Sequence, residues 1–436
     1  MSSIRLGLLL AGVFAAVLIA KAALVDGLTK PQAKAAGLVT AKLKRLDALL
    51  QEAVDRRQIA GGVALLARRG RIGHLSAIGW RDAESHTPMT TDTLFRIASL
   101  TKPITSVAAM MLVEEGKLRL DDPVSKFLPD FRYARVGVPN WMGWNLQDVP
   151  AWREITIRDL LTHTSGLSYR LWGIQPWSGL YRQAGVSDGL LHPPGTCLDN
   201  VRRLARLPLL FQPGCLWGYG LSTDVLGVVI EAASGQDLAT FFRQRIFEPL
   251  NMHDTFFFVP VEKKSRLASL YLRDVDGRRR RVGDEPVAAG ELQFSATSCC
   301  EAGGKYHSGG AGLVSTAADY ARFLQMLLAG GELDGVRLLQ PATVEQMTKN
   351  QIGYLHTYIP QYGDRYGYGV GIRTADDLSG DPASIGSYAW GGLFHTYFWV
   401  DPEKELIGMM MLQLFAVGDL PLRQEFKQRA YECLAD

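Results

Sequence analysis

The sequence has little net charge and no broad basic region. Its 436 residues include 47 Lys and Arg against 44 Asp and Glu, which leaves a formal net charge of +3. A chain this close to neutral offers no extended cationic field, so nucleic acid is not expected as a partner. The one dense basic run, Arg278 to Arg281, lies among acidic residues in a polar stretch. We expect a solvated hairpin or loop there.

Cysteines and metal-ligand patterns are also sparse. The five cysteines, at irregular spacing, fit neither a disulfide framework nor a C-x-x-C zinc site: Cys197, Cys215, Cys299, Cys300 and Cys433. Cys197 and Cys215 could pair if the protein is exported, or both could remain free thiols. The eight histidines lack H-x-x-E-H or paired spacing. Neither a metal ion nor an organic cofactor is therefore expected.

Long apolar runs are confined to the N-terminus. Arg5 precedes an uncharged, almost wholly apolar stretch from Leu6 to Ala20. Such a run is at the upper end for a signal-peptide core and slightly short for a membrane span of about 20 residues. Residues 1–23 are therefore predicted to be a cleaved signal peptide or an uncleaved membrane anchor, with an apolar soluble helix as the third alternative. The first two predict a periplasmic, extracellular or membrane-anchored protein.

The rest of the sequence has the composition of an ordinary globular protein, with 47% hydrophobic and 21% charged residues. The pattern predicts an amphipathic helix over 39–57 and a hairpin over 62–78 near the start of the chain. Near its end it predicts a hairpin over 393–412 and a closing helix over 421–434, and the middle between them is rich in helices. The middle is predicted to contain helices at about Lys102–Glu115, Ile157–Leu161, Thr223–Ser234, Ala239–Ile246 and Ala317–Ala329. This order predicts an α/β (α+β) plan with one sheet assembled from both chain ends, flanked by helices and joined to a large helical lobe.

Ser99 and Lys102 form an S-x-x-K element immediately before an apolar stretch. In the first turn of a helix, residues three apart share a face, so the hydroxyl and the amine can come within hydrogen-bond reach. A lysine held between an apolar helix and a sheet has its ammonium form disfavoured and can then accept the serine proton. The alternative is a helix N-cap serine followed by a surface lysine.

Further motifs follow in order along the chain. They are Phe95-Arg96-Ile97-Ala98-Ser99-Leu100-Thr101-Lys102, Leu120-Asp121-Asp122-Pro123-Val124, Leu160-Leu161-Thr162-His163-Thr164-Ser165-Gly166-Leu167, Trp217-Gly218-Tyr219, Gly309-Gly310-Ala311-Gly312-Leu313-Val314-Ser315-Thr316-Ala317 and Trp390-Gly391-Gly392. From about residue 42 to the C-terminus the chain resembles the serine beta-lactamase and penicillin-binding-protein superfamily. More specifically, it is similar to the esterase branch, the family VIII carboxylesterases related to class C beta-lactamases.

The resemblance implies a beta-lactamase-like fold with a central antiparallel sheet. Length alone, at about 150 residues per domain, suggests three domains. The resemblance instead implies a single catalytic domain over 38–436, because its motifs are spread across the chain. The sheet lobe would comprise about 38–95 and 300–436, and the helical lobe about 96–299.

The resemblance also assigns roles to individual residues. Ser99 would be the acylated nucleophile, Lys102 its base partner, and Tyr219 the phenol that carries a proton to the leaving group. The alternative for Tyr219 is a loop aromatic packed ahead of the next helix. Trp390-Gly391-Gly392 stands where the beta-lactamase relatives carry Lys-Thr-Gly on a strand, and the N–H groups of Leu393 and Ser99 would form the oxyanion hole.

Two departures from the beta-lactamase pattern bear on the substrate. Leu221 stands where beta-lactamases have an asparagine two residues after the tyrosine, and Trp390 replaces the cation that pairs with a beta-lactam carboxylate. Both changes make the pocket less polar and favour a neutral small-molecule ester. His395, just beyond the presumed oxyanion strand, could contact substrate, although a structural histidine is the favoured interpretation.

A second candidate nucleophile and a group of tryptophans also bear on the site. Ser187 lies in Gly185-Val186-Ser187-Asp188-Gly189, which fits the G-x-S-x-G elbow of α/β-hydrolases, but a helix-breaking segment follows and favours a loop turn. Five tryptophans lie between the S-x-x-K helix and Tyr219, namely Trp141, Trp144, Trp152, Trp172 and Trp177. They could form an aromatic rim around the site or hold long loops together.

The sequence therefore predicts a serine carboxylesterase that works through an acyl-enzyme. Acyl transferase, D-amino-acid peptidase and weak beta-lactamase activity remain open on the same fold. A membrane-tethered binding protein without turnover is the alternative of another class, and the joint presence of Ser99, Lys102 and Tyr219 argues against it.

Overall fold

The computed structural model describes residues 31–139, 146–300, 303–416 and 420–435. The segment predicted as a signal peptide or anchor, 1–23, lies outside the described residues. Within those ranges no single helix is long and apolar enough to cross a membrane. One pair, Ser222–Ser234 with Leu238–Phe247, reaches that length and composition only jointly, and it is bent by 81°.

An eight-stranded antiparallel sheet forms the centre of the molecule. Its strands, numbered along the chain, are β1 Gly61–Arg68, β2 Arg71–Asp82, β3 Thr87–Pro88, β4 Arg365–Tyr366, β5 Gly371–Ile372, β6 Tyr388–Gly391, β7 Thr396–Asp401 and β8 Leu406–Met411. Their order across the sheet is β4-β5-β6-β7-β8-β1-β2-β3. The sheet is therefore assembled from both ends of the chain, as the sequence predicts.

The two predicted hairpins are present. Arg69 and Gly70, both with positive φ, form the turn between β1 and β2, and this conformation matches the twist of the flanking strands. In the second hairpin the first strand begins at Thr396, later than predicted. The N–H of Gly392 donates to the carbonyl of Thr396, and the N–H of His395 donates to that of Gly392. This tight turn keeps Leu393 out of the strand.

Helices cover both faces of the sheet and fill the middle of the chain. They are α1 Thr40–Asp55, α2 Thr101–Glu114, α3 Ile157–Thr162, α4 Trp177–Gln183, α5 Cys197–Leu204, α6 Ser222–Ser234, α7 Leu238–Phe242, α8 Ala317–Leu328, α9 Pro341–Met347 and α10 Leu422–Glu432. The sequence predicts α1, α2, α3, α6, α8 and α10 to within about two residues. It misses α4, α5 and α9, and the predicted helix at 239–246 continues from α7 as a π-helical turn over Arg243–Phe247.

Shorter strand pairs lie outside the central sheet. They are Phe95–Arg96 with Val314–Ser315, Arg135–Pro139 with Leu146–Pro150, Val287–Ala289 with Leu292–Phe294, Glu332–Leu333 with Val336–Arg337, and Tyr271–Arg273 with both Arg279–Arg281 and Leu414–Ala416. The basic run is therefore half of a small hairpin. Arg281 forms an ion pair with Asp82, and Arg279 donates to the carbonyl of Ile59.

Alternate residues of β1 belong to two different cores. Val63 and Leu65 face the core that contains α2 and α8, whereas Ala64 and Leu66 face the core formed with α1 and α10. Every residue of β1 is buried, as expected for a central strand covered on both faces. The first core extends into the helical lobe, so it is the face on which the predicted site residues converge.

The cysteines are free in the structure, with Cys197 buried and Cys215 exposed, so these two are not bonded to each other. Among the described residues, no group of three or more His, Cys, Asp or Glu side chains is arranged to hold a metal ion.

Candidate active site

The segment before Ser99 fixes the position of its hydroxyl. Phe95–Arg96 pairs with Val314–Ser315, which brings the first motif against the Gly-Gly-Ala-Gly-Leu motif. Ala98 then adopts φ +44°, a left-handed conformation that is strained for a residue with a side chain. A single 3₁₀ turn over Ala98–Leu100 leads directly into α2 and leaves Ser99 partly exposed above the helix N-terminus.

Lys102 lies on the same face one turn later, and its side chain is fully buried. Its Nζ is 3.2 Å from Ser99 Oγ, and it donates to Tyr169 Oη at 3.0 Å and to the carbonyl oxygen of Gly310 at 2.8 Å. Burial lowers the pKa of Lys102 to about 7, and the negative charge of Asp224 opposes this effect. Near neutral pH a large fraction of the amine is therefore unprotonated and able to accept a proton.

Glycines at 309 and 310 allow the backbone to reach Lys102. A Cβ on Gly309 would lie 2.6 Å from the carbonyl oxygen of Thr223, and one on Gly310 would lie 2.3 Å from Asp224 Oδ2. Neither neighbour can move freely, because one is helix backbone and the other is buried. The Gly-Gly pair is thus required for this close packing rather than for a turn.

Asp224, on α6, is the buried carboxyl behind the lysine. Its Oδ1 accepts hydrogen bonds from Ser308 Oγ at 2.5 Å and from the N–H of Gly310 at 3.4 Å, and its Oδ2 has no partner. Burial raises the pKa of Asp224, and Ser308 and Lys102 oppose this. The carboxyl and the amine are linked through Gly310, whose N–H donates to Asp224 and whose carbonyl accepts from Lys102.

Tyr219 is the second phenol at the site. The Lys102 Nζ lies 4.7 Å from the centre of its ring. Trp390 Nε1 donates to Tyr219 Oη at 3.3 Å. Burial raises the pKa of Tyr219 above its ordinary value, and hydrogen bonding with Ser99 and Trp390 opposes this. The phenol is therefore protonated at neutral pH and can act as a proton donor.

Aromatic side chains hold the backbone of Tyr219 in place. Trp172 Nε1 donates to its carbonyl oxygen, and its N–H donates to Tyr358 Oη, both at 2.8 Å. His163 packs against the Tyr219 ring with centroids 4.8 Å apart, and its own carbonyl accepts from Gly218. Burial lowers the pKa of His163 well below its ordinary value, so the imidazole is neutral. The Thr-His-Thr-Ser-Gly motif thus supports the tyrosine loop.

The Trp-Gly-Gly segment runs beside the nucleophile. Trp390 is completely buried among aromatic rings, with Tyr219, Tyr362 and Tyr366 centroids 5.0 to 5.2 Å away. A Cβ on Gly392 would lie 2.3 Å from the carbonyl oxygen of Ile97, two residues before Ser99. Leu393 follows in the turn after β6. The structure thus brings together Ser99, Lys102, Tyr219 and the start of the Trp-Gly-Gly-Leu segment, and their roles stay predictions.

Tyr169 and Asp224 are missed by the sequence reasoning. Tyr169 follows the Thr-Ser-Gly-Leu motif by two residues, and its phenol oxygen, rather than that of Tyr219, accepts a hydrogen bond from Lys102 Nζ. Burial raises the pKa of Tyr169 well above its ordinary value. Asp224 lies in the first turn of the largely apolar helix α6, and an acidic residue next to such a run of apolar residues is the signal that could have found it.

The other candidates have structural contacts. Ser187 lies in a turn between α4 and α5, where its hydroxyl donates to the carbonyl of Leu191 and accepts from the N–H of Gly189. No strand precedes it, so the elbow hypothesis is not supported. His395 Nδ1 hydrogen-bonds the carbonyl of Leu414 at 3.0 Å, and burial lowers the pKa of its ring to about 4. It fits the structural interpretation.

Of the five tryptophans, one has contacts that fit each of the two predicted roles. Trp172 lies beside Tyr219, and Trp177 is a buried loop contact whose Nε1 donates to the carbonyl of Pro208. Trp152 is largely exposed. Trp141 and Trp144 lie outside the described residues.

Comparisons with known proteins agree with this arrangement. A family model described as Beta-lactamase matches residues 46–430. Esterase EstB from Burkholderia gladioli is 35% identical over 375 residues, which cover 85% of this chain and 89% of that protein. The lovastatin esterase of Penicillium rubens is 31% identical over 414 residues, 88% of this chain and 98% of that one.

Solved structures give the same result. EstCE1, described as a hydrolase with promiscuous acyltransferase activity, superimposes with a TM-score of 0.77 at 30% identity, over 90% of this chain and 98% of that chain. Simvastatin synthase LovD from Aspergillus terreus gives 0.71 at 25% identity, over the same shares. With a family match over most of its length and esterases among its relatives, this chain belongs to the beta-lactamase family, in the esterase branch of the serine beta-lactamase and penicillin-binding-protein superfamily.

Proposed function

We propose that this protein hydrolyses carboxylic esters of small neutral molecules through an acyl-enzyme on Ser99. The observation that carries the proposal is the Lys102 amine 3.2 Å from Ser99 Oγ, with a pKa that burial lowers to about 7. A lysine held in this state is a general base matched to neutral pH. Without it, the serine hydroxyl would be a weak nucleophile.

We assign the acylation step to three side chains. Lys102 Nζ takes the proton as Ser99 Oγ attacks the ester carbonyl carbon. Tyr219 Oη then gives its proton to the leaving alcohol as the carbon–oxygen bond breaks, and the proton on Lys102 restores the phenol. Water attacks the acyl-serine in the second half of the cycle and releases the carboxylic acid.

Negative charge develops on the carbonyl oxygen during both steps. The N–H of Ser99, at the N-terminus of α2, and the N–H of Leu393, in the turn beside Ile97, are the donors we assign to it. The strained φ of Ala98 fixes the direction of the Ser99 amide. By the resemblance, Trp390 stands where beta-lactamases carry a carboxylate-binding cation, and its buried indole offers no charge there. A neutral substrate is therefore favoured over an anionic antibiotic.

Acyl transfer to an alcohol is the second candidate, and the exposed apolar side chains around Tyr219 favour it. The solvent-exposed fractions are 38% for Trp172, 53% for Tyr358 and 53% for Leu216. An apolar mouth of this kind binds an organic alcohol in preference to water at the acyl-enzyme. EstCE1, by its description, combines both activities. The two reactions share every step up to the acyl-serine.

The test is intact-protein mass spectrometry together with hydrolysis of p-nitrophenyl esters. Wild-type protein is expected to gain one acyl group on Ser99 and to turn over, and Ser99→Ala should lose both the adduct and the activity. Ser187→Ala is the matched control, because it removes the serine of the G-x-S-x-G sequence, and it should retain both. Full activity of Ser99→Ala, or an adduct on Ser187, would overturn the proposal.

A second measurement separates hydrolysis from transfer. Adding short alcohols to the ester assay should divert the acyl group into a new ester if transfer competes with water. Free acid as the sole product at all alcohol concentrations would exclude the second candidate and leave ester hydrolysis.

A further inference from the structure

A cavity of about 540 Å³ lies beneath the strand pair β6–β7, on the face of the sheet opposite Ser99. Side chains of a strand alternate between faces, so Trp390 points toward the active site and Gly391 toward the other side. Tyr397, the partner of Gly391 in the ladder, lines the cavity. The start of α10 and the loop around Asp381 form the remaining walls. Its volume is in the range that holds a small organic ligand.

Arg423 places a positive charge in this cavity, and its guanidinium packs between two aromatic rings. Its guanidinium lies between the rings of Tyr362 and Tyr397, with the central carbon 5.1 and 5.3 Å from the two centroids. One Nη donates to Tyr362 Oη, and the Nε is buried with no partner. Among the side chains that the structure describes, no carboxylate pairs with Arg423. An unpaired guanidinium held between two aromatic rings is pre-organised for a carboxylate.

The other titratable groups that line the cavity leave this charge uncompensated. Lys427 Nζ is paired with Asp381 Oδ2 at 2.6 Å, so these two charges offset each other. His395 is neutral, because burial and the nearby Arg423 lower its pKa to about 4. The described side chains that line the cavity therefore carry one net positive charge, which one monoanion would balance.

The wall around Arg423 suits an anion with an apolar body. Pro421 is the N-cap of α10 and provides no side-chain hydrogen bond, so the first N–H groups of that helix add a partial positive charge at the same end of the cavity. Pro360, Pro382 and Leu420 provide apolar surface further away. Glutamines at 361, 424 and 428 add neutral polar groups at the rim. None of these groups belongs to the site around Ser99.

We propose that this cavity is a second ligand site, which binds a small organic monocarboxylate with its carboxylate on the Arg423 guanidinium. The site is separate from the ester-binding site and does not depend on the reaction at Ser99. A carboxylate would accept from the Nη groups of Arg423 and balance its charge. A neutral molecule of the same shape would leave the charge unbalanced.

Calorimetric titration of the full-length Ser99→Ala protein with benzoate and octanoate tests the proposal, with benzamide as the neutral analogue of benzoate. At least one carboxylate is expected to bind, and benzamide should bind about tenfold more weakly or not at all, the cost of losing a charge-assisted hydrogen bond. Arg423→Gln should lose the binding. Arg429→Gln, which removes a cation further along the same helix, should retain it.

Gln424→Trp provides a second test that leaves all charges in place. Gln424 is exposed at the cavity rim, so the indole should fill the space and block the ligand while the unfolding temperature stays close to that of the parent. Three results would overturn the proposal. They are a carboxylate that binds Arg423→Gln as tightly as the parent protein, benzamide that binds the parent as tightly as benzoate, and no binding of either acid at about 10 mM. Binding that survives both variants would place the ligand elsewhere, such as at Ser99, and would overturn it as well.

Discussion

Two buried lysines lie on opposite faces of the same sheet, and their surroundings differ in one respect. Lys427 is paired with Asp381 at 2.6 Å, whereas the hydrogen bonds of Lys102 go to hydroxyl and carbonyl oxygens. Burial lowers the pKa of both. At Lys102 the nearest carboxyl, Asp224, acts from behind the backbone of Gly310. A buried lysine that is ion-paired with a carboxylate stays charged and has a structural role. A buried lysine without such an ion pair is available for proton transfer.

The largest expected difference between these lysines is in activity. Lys102→Met removes the base next to Ser99, and kcat/KM for a p-nitrophenyl ester should fall about 10³-fold or more, as for loss of a general base. Lys427→Met, on the far face of the sheet, should leave kcat/KM within about threefold of wild type. Steady-state kinetics on both variants measures this. Comparable losses in the two would show that Lys102 has no special role.

For the free energy of unfolding, the Lys427 variant is expected to lose more than the Lys102 variant. Lys427→Met leaves Asp381 without its partner and should lower the free energy of unfolding by about 2 kcal/mol, below the range for a fully buried pair because the Asp381 side chain remains 20% exposed. Lys102→Met should be at least as stable as wild type, because it removes a buried group whose charged form is disfavoured. Urea unfolding near pH 7 gives both values.

The stability of the Lys102 variant also has a defined pH dependence. Burial lowers the pKa of Lys102 from 10.5 to about 7, so between these values the unfolded chain binds more protons than the folded one. The free-energy cost of burying the Lys102 amine is therefore at its full value below pH 7, decreases between pH 7 and 10.5, and is absent above pH 10.5. Any advantage of Lys102→Met should shrink over the same interval. An advantage that grew with pH would contradict the assigned environment.

The contrast between the two lysines could be predicted only in part from the sequence. The S-x-x-K spacing places Lys102 beside Ser99, because three residues in a helical turn determine that geometry. The counterion of Lys427 depends on a loop around residue 381 that no local pattern positions. The sequence does not reveal Tyr169 and Asp224 for the same reason: the contact of Tyr169 with Lys102 and the electrostatic effect of Asp224 on it arise from packing between segments that are distant in the chain.

The fold was more predictable than the details of the site. Hydrophobic periodicity located both terminal helices and both main hairpins, since these elements bury a regular face. It failed at Leu393, where apolar residues continue through a turn closed by the N–H of Gly392. Helix α5 was also missed, although Thr196 and Asp199 form a capping box that the sequence displays. Short helices in loops have too few residues for a periodic signal.

The carboxyl behind Lys102 should set the pH at which the enzyme becomes active. In the wild type, kcat/KM is expected to rise with pH through about 7, as the ammonium of Lys102 loses its proton. Asp224 favours the ammonium, so Asp224→Asn should lower that pKa and shift the rise to lower pH. The shift should be of the order of one unit. Ser308→Ala, which keeps the carboxyl but removes its hydroxyl donor, is the matched control.

The direction of this shift distinguishes two roles for Asp224. If the carboxyl acts on the charge of Lys102, the acid limb of the pH profile moves and the maximal rate changes little. If it serves only to hold Gly310 in place, Asp224→Asn should lower the rate at every pH without moving the limb. An unshifted limb with reduced activity would therefore remove Asp224 from the proton-transfer argument.

The smallest expected effect concerns the hydrogen bond from Trp390 to Tyr219. Trp390→Phe keeps a large buried ring but removes the Nε1 donor, which is 3.3 Å from Tyr219 Oη. One neutral hydrogen bond is worth about 1 kcal/mol, so kcat should fall about fivefold. Tyr219→Phe removes the proton donor itself and should cost far more. If the double variant is no slower than Tyr219→Phe alone, Trp390 acts through the phenol; additive losses would instead assign its effect to packing against Tyr362 and Tyr366.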